Sequence, residues 1–206
     1  MKEEIHEQIK QIKRSFRSAM NGPVSQSMRD KGTLYKLNCG VALPKLREMA
    51  QQYTPSYELA IELWKEPIRE CKLMALMLMP PEDMPMEVVD IWMEQTHTQE
   101  LAEVAAVQLY QHLSYAPLLA FKWMASADAL PQITAYTLLG RLFMKGMEPN
   151  ERGINEFLDQ AITALQSSHA GVQHAASNCL CRFAELGQIY AQIMEKALKM
   201  HGLASF

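Results

Sequence analysis

The feature that most constrains this chain is a unit that returns. One helical apolar pattern ends at Trp64, a Glu66-Pro67 step turns the chain, and a second, unusually apolar pattern runs from Pro67 to Met79 with Ala75-x-x-Leu78 on it. The same order brings Ala106-x-x-Leu109 after Trp92 and Ala135-x-x-Leu138 after Trp123, so the alanines stand 31 and then 29 residues apart. A longer unit without a tryptophan follows in Phe157–Leu165 and Ala175–Leu186. One helix pair cannot bury both of its faces, so pairs of this length stack, and a small residue on the inner helix lets neighbours approach closely. That is the pattern of an all-α solenoid. The alternative is an irregular helical bundle.

The remaining segments are also helical in pattern. Ile5, Ile9, Ile12, Phe16 and Met20 stand at helical spacing, and Asn21-Gly22-Pro23 stops that helix. A short helix is expected over Ser25–Lys31, a loop over Gly32–Leu43, and a helix opened by Pro44 that runs to about Tyr53. Ser56 caps the helix to Trp64, and Pro67 takes a first-turn position in the next. Pro80-Pro81 ends that one. Further helices are expected over Met86–Gln95, Thr98–Leu113, Ala116–Ala125, Asp128–Lys145, Asn150–Leu165, Ala170–Leu186 and Gln188–His201. No stretch alternates as a strand requires, so we expect about a dozen helices in one domain over 1–206, with a basic helical cap over 1–34.

Apolar residues make up 49% and charged residues 21%, which places the chain among globular proteins. The net charge of −3 hides an uneven spread. Residues 1–47 hold ten Lys or Arg against four acids, a balance of +6, and the rest carry −9. Lys10, Lys13, Arg14, Arg17, Arg29 and Lys31 are therefore candidates for phosphate contacts, because phosphate binding needs repeated positive charge rather than one spacing. The bland alternative is a solvated helix face. Cys39, Cys71, Cys179 and Cys181 form no paired framework and read as reduced thiols in a cytoplasmic protein. No apolar run reaches the length of a membrane span. His169, His174, Cys179 and Cys181 fit no common zinc spacing, and no cofactor motif is visible, so neither metal nor cofactor is expected.

Two stretches carry a resemblance: Asn38-x-Gly40-Val41-x-x-Pro44-x-Leu46-Arg47-x-x-Ala50, then Glu58-Leu59-Ala60-x-Glu62-Leu63-Trp64 followed by Arg69-Glu70 and Ala75. In this order they resemble the AlkD-type DNA alkylation repair family of HEAT-like repeat proteins, over most of the chain. The resemblance implies a right-handed HEAT-like α-solenoid with a basic concave groove for double-stranded DNA. It also implies a glycosylase that releases cationic alkylated purines such as 3-methyladenine and 7-methylguanine without flipping the base into a pocket, unlike most enzymes that act on bases. In such chemistry a carboxylate supports positive charge developing on the sugar, tryptophans line the backbone, and an arginine holds a phosphate.

The family's Trp-Asp-x-x-Asp stretch should open the helix after Trp92, where this chain reads Gln99-Glu100-Leu101-Ala102-Glu103. Glu103 is the nearest stand-in for the catalytic Asp. Pro131-Gln132-Ile133-Thr134 offers no arginine, Arg141 comes a turn or two late, and Asn178 lies where a later tryptophan is expected. Glu100 and Glu103 share a helix face; they read first as first-turn acids that favour a helix N-terminus, and second as a remnant carboxylate site facing the groove. The three tryptophans and the Met cluster of 73–93 read first as packing. The expectation is a DNA-binding repair-family protein with weak or no glycosylase activity. The rivals are an active glycosylase using Glu103 and a scaffold for a protein partner without DNA binding.

Overall fold

The computed structural model describes residues 2–32 and 35–203. Its elements are α1 (Lys2–Ser18), α2 (Gly22–Asp30), α3 (Leu43–Ala50), α4 (Tyr57–Lys65), α5 (Arg69–Leu78), α6 (Met86–Glu94), α7 (Gln99–Gln108), α8 (Ala116–Met124), α9 (Ala129–Met144), α10 (Glu151–Leu165), α11 (Ala170–Ala184) and α12 (Gln188–Met200). Short 3-10 turns lie at Pro81–Asp83 and Tyr110–His112. Among the described residues the only strand-like feature is a single parallel bridge between Leu37 and Ile68. The chain forms two compact units, Met1–Leu109 and Tyr110–Phe206.

In the first unit α4 packs on α5, and α5 also takes α3 and α7 against it. α1 lies on α4. The apolar run of α5 is thereby explained: from Arg69 to Leu78, all but Lys72 and Met77 are buried. In the second unit α9 packs on α8 and α11, and α11 takes α10 and α12. Ala75, Leu78, Ala106, Ala135 and Leu138 on the inner helices, and Leu109 just past the end of α7, are all essentially inaccessible. Ser56, Thr98 and Asn150 accept hydrogen bonds from the backbone N–H groups of Leu59, Leu101 and Gly153, so three helices start at their expected caps.

Four local expectations are corrected. Asn21 does more than end α1, because its side chain caps α2, which starts at Gly22 rather than Ser25. Met20 lies beyond α1 and is 60% exposed. Pro67 is not in the first turn of α5; its carbonyl accepts from Leu37 N–H, Arg69 N–H donates back to Leu37, and Ile68 is extended. α7 stops at Gln108 instead of running to Leu113, and the Tyr110–His112 turn follows it.

Candidate nucleic-acid interface

α1 buries Ile9, Ile12 and Phe16, which leaves Lys10, Lys13, Arg14 and Arg17 along its other side at helical spacing. Lys10 pairs with Glu7 at 2.6 Å, an exposed pair on one helix. The Glu7 carboxyl is held below its usual range by that lysine, with help from His6 and Arg14. Lys13 reaches Glu66 at 2.6 Å and ties α1 to the end of α4. Arg14, Arg17, Arg29 and Lys31 are exposed, and no ion pair engages them among the described residues. Asp30, the acid beside the last two, accepts instead from Gln26 at 2.8 Å. Of the six predicted phosphate contacts, four therefore keep their charge unpaired and two do not.

The Asn38–Val41 loop sits beside this face. Burial raises the Cys39 thiol pKa, as does Glu70, while Arg17 lowers it, so Arg17 is within electrostatic reach of the loop. Three of the loop's N–H groups are already engaged by side chains. The N–H groups of Cys39 and Val41 donate to the Glu70 carboxylate, and that of Gly40 donates to the Asn38 side chain. Ser25 Oγ holds the Asn38 carbonyl at 2.6 Å, and Asn21 N–H holds that of Cys39 at 2.9 Å. The Asn38–Val41 and Arg69–Glu70 motifs are thus two halves of one structural contact.

The two acids at the head of α7 differ. Glu100 takes both Nε and Nη2 of Arg69, a two-pronged pair. Arg69 is buried, and its Nη1 donates to Glu70 at 2.9 Å and to the Val41 carbonyl at 3.0 Å. Glu100 is therefore neutralised by the preceding helix pair. Glu103 is half-buried and accepts from Gln99 Nε2 of its own helix at 2.7 Å. Close to these acids the Tyr35 hydroxyl meets Thr98 Oγ1 at 3.0 Å, and burial pushes this phenol up in pKa. The sequence reading missed Arg69 and Tyr35 at this place. Arg69 had a signal: it stands 31 residues before Glu100, the spacing of the first two repeat alanines.

The remaining candidates fall outside such a site. Trp64 stacks on Trp92 with ring centres 4.1 Å apart and donates to Gln95, while Lys72 lies over its outer face at 4.3 Å. Trp123 tilts against Tyr110, and all three tryptophans are buried. Asn178 is exposed and hydrogen-bonded to His174. His169 caps α11 through Nδ1, and Cys179 is buried while Cys181 is half-buried. Among the described residues no group of three or more His, Cys, Asp or Glu is arranged to hold a metal. Among them, too, no helix is long and apolar enough to cross a membrane.

The twelve helices of the described residues and the similarity of the fold to a solved relative define a HEAT-like helical-repeat protein. The family model described as DNA alkylation repair enzyme matches residues 8–205, and the chain belongs to that family. One solved structure, of a protein in a family related to the HEAT-like repeat DNA glycosylases with affinity for branched DNA structures, has a similar fold. Its TM-score is 0.77 at 22% identity, over 92% of this chain and 80% of that one. No curated protein matches the sequence.

Proposed function

We propose that this chain binds DNA through the basic side of α1 and the end of α2, and that it releases alkylated bases weakly or not at all. The observation that carries the reading is the contrast between its charges. Arg14, Arg17, Arg29 and Lys31 are exposed and without ion pairs among the described residues. Of the acids that could support catalysis, Glu100 is paired with the Arg69 guanidinium, while Glu103 accepts only from the neutral amide of Gln99, which does not neutralise a carboxylate. A cationic base leaves a sugar with little acid assistance, so the enzyme's main task is to stabilise positive charge with an ionised carboxylate. A carboxylate already neutralised by a guanidinium contributes little to that task. Family membership supports DNA as the partner, and the affinity of the structurally similar protein for branched DNA makes a junction the first substrate to compare with plain duplex.

Two measurements test this. Titration of duplex and four-way-junction DNA at low salt should give binding that weakens in Arg14→Ala/Arg17→Ala. Incubation with methylated DNA should release little or no 7-methylguanine or 3-methyladenine. Rapid release that disappears in Glu103→Gln would instead make the protein an active glycosylase.

A further inference from the structure

In the first unit α1 and α4 run side by side in the same direction. Lys13 meets Glu66 at 2.6 Å toward their C-terminal ends, while Ile5 and Ile9 of α1 come up beside Tyr57 and Ile61 of α4 toward their N-terminal ends. The first end is tied and the second is open. Between the helices there lies a groove of about 450 Å³, a size that admits several apolar side chains. Its apolar lining is Ile5, Ile9, Tyr57 and Ile61. Ile9 is buried, but Ile5, Tyr57 and Ile61 are only half-buried although all three are large and apolar.

Polar groups rim the groove. Glu58 and Glu62 stand four residues apart on one face of α4, with His6 on the α1 side. Both glutamates are exposed. Glu62 meets Lys65 of its own helix, an exposed pair of the kind that contributes little and exchanges readily. Glu58 shares a hydrogen bond with the Ser56 hydroxyl at 3.0 Å, and no ion pair engages it among the described residues. A first-turn position accounts for Glu58. It does not account for Glu62, or for the large apolar side chains left half-buried beside the two acids. An apolar recess rimmed by polar groups marks an interaction surface. The acids repel a phosphate backbone, and the groove lies away from the cations of α1: Arg14 is about two and a half turns from Ile5, and so on the opposite side of the helix.

We propose that this groove docks a protein partner through a basic amphipathic helix, whose apolar stripe enters between α1 and α4 and whose flanking Lys or Arg meet Glu58 and Glu62. A groove that runs along two parallel helices fits a third helix, and recognition of this kind uses apolar residues at i, i+3, i+4 and i+7. Burial of the stripe supplies the affinity, while the acids select a basic partner and speed its encounter. The inference does not depend on DNA binding, and a partner held here leaves the Arg14 and Arg17 side of α1 uncovered.

The test uses the full chain, with its isoleucine methyl groups followed by NMR, and two helical peptides as probes. One carries leucine at i, i+3, i+4 and i+7 with lysine on both flanks, and its twin has glutamate for every lysine. The lysine peptide should shift the Ile5, Ile9 and Ile61 methyl resonances saturably, and the twin should leave them in place. Glu58→Gln/Glu62→Gln, at exposed positions, should weaken the lysine peptide about tenfold, because two exposed ion pairs are lost together. Ile61→Ser should weaken it about tenfold or more. A cooperative melting transition checks that each variant is folded. Duplex DNA should not displace the peptide. Methyl resonances unmoved by either peptide, or moved equally by both, would overturn the proposal. Displacement by DNA would overturn it by making the groove part of the nucleic-acid face. A chain that dimerises in sedimentation, with the dimer lost in Ile61→Ser, would overturn the separate partner in favour of a second copy.

Discussion

Three positions concentrate the consequences of single residues. Gly40 has φ +68°, and a Cβ placed there would lie 2.4 Å from the Asn21 carbonyl oxygen, a backbone atom that cannot move aside without disturbing the start of α2. Gly40→Ala should destabilise by about 2 kcal/mol or more, read by urea titration, because strain and overlap add. Glu70 is fully buried between Arg69 and two backbone N–H groups, while the Glu100 side chain is 35% exposed. Glu70→Gln should therefore cost more than Glu100→Gln, on the order of 3 kcal/mol against about 1, since the exposed pair is screened by water. Equal losses would contradict this network. The thiols give a pH signature. Burial raises Cys39, drives Cys179 well above its usual value, and pushes Cys71 up to about 12 from an ordinary 9.0. The unfolded chain ionises these thiols first, so their contribution to stability is fully present below pH 9 and is lost as pH rises from about 9 toward 12. A thiol reagent at pH 8 should titrate Cys181 in the native protein and the other three only in denaturant; rapid native reaction of all four would refute the burial.

At the scale of elements, the helix pairs hold together through repeated contacts about one unit apart. Trp64 meets Trp92 face to face and donates to Gln95, 31 residues on, while Arg69 meets Glu100 across the same interval. Trp64→Ala should cost about 3–5 kcal/mol by urea unfolding, since it removes a buried ring and a stacked partner. A loss under about 1 kcal/mol would mean that the stack contributes little. The tryptophans were legible as repeat packing, because a residue and its equivalent in the next unit must be neighbours once the units stack; the Arg69–Glu100 pair obeys the same interval but was not recognised. The helix order and most caps were legible for a local reason: Ser56, Thr98 and Asn150 act within their own turn. The start of α5 was not legible. Local chemistry favours Pro67 inside the helix, but Leu37, thirty residues earlier, pairs with Ile68 and keeps that step extended. The end of α7 escaped for a similar reason, since the Tyr110–His112 turn is held by Arg141 and Lys145 from α9. No pattern within residues 98–113 records that.

For the whole molecule, the fold and the family were readable and the site only in part. The Asn38–Val41 and Arg69–Glu70 motifs identify the family because they build its scaffold: one supplies the loop and the other the carboxylate that holds it. A charge count found the basic segment, but could not tell that Lys10 and Lys13 are paired while Arg14 and Arg17 have no ion pair among the described residues. The central claim is that DNA is held through phosphate contacts made by unpaired cations. Its most direct measurement is the affinity for a short duplex as a function of salt, for the wild type and for Arg14→Ala/Arg17→Ala. We predict a steep linear loss of log affinity with log salt for the wild type, and a slope smaller by about 2 in the variant. A wild type without detectable duplex binding at low salt, or a variant with an unchanged slope, would contradict it.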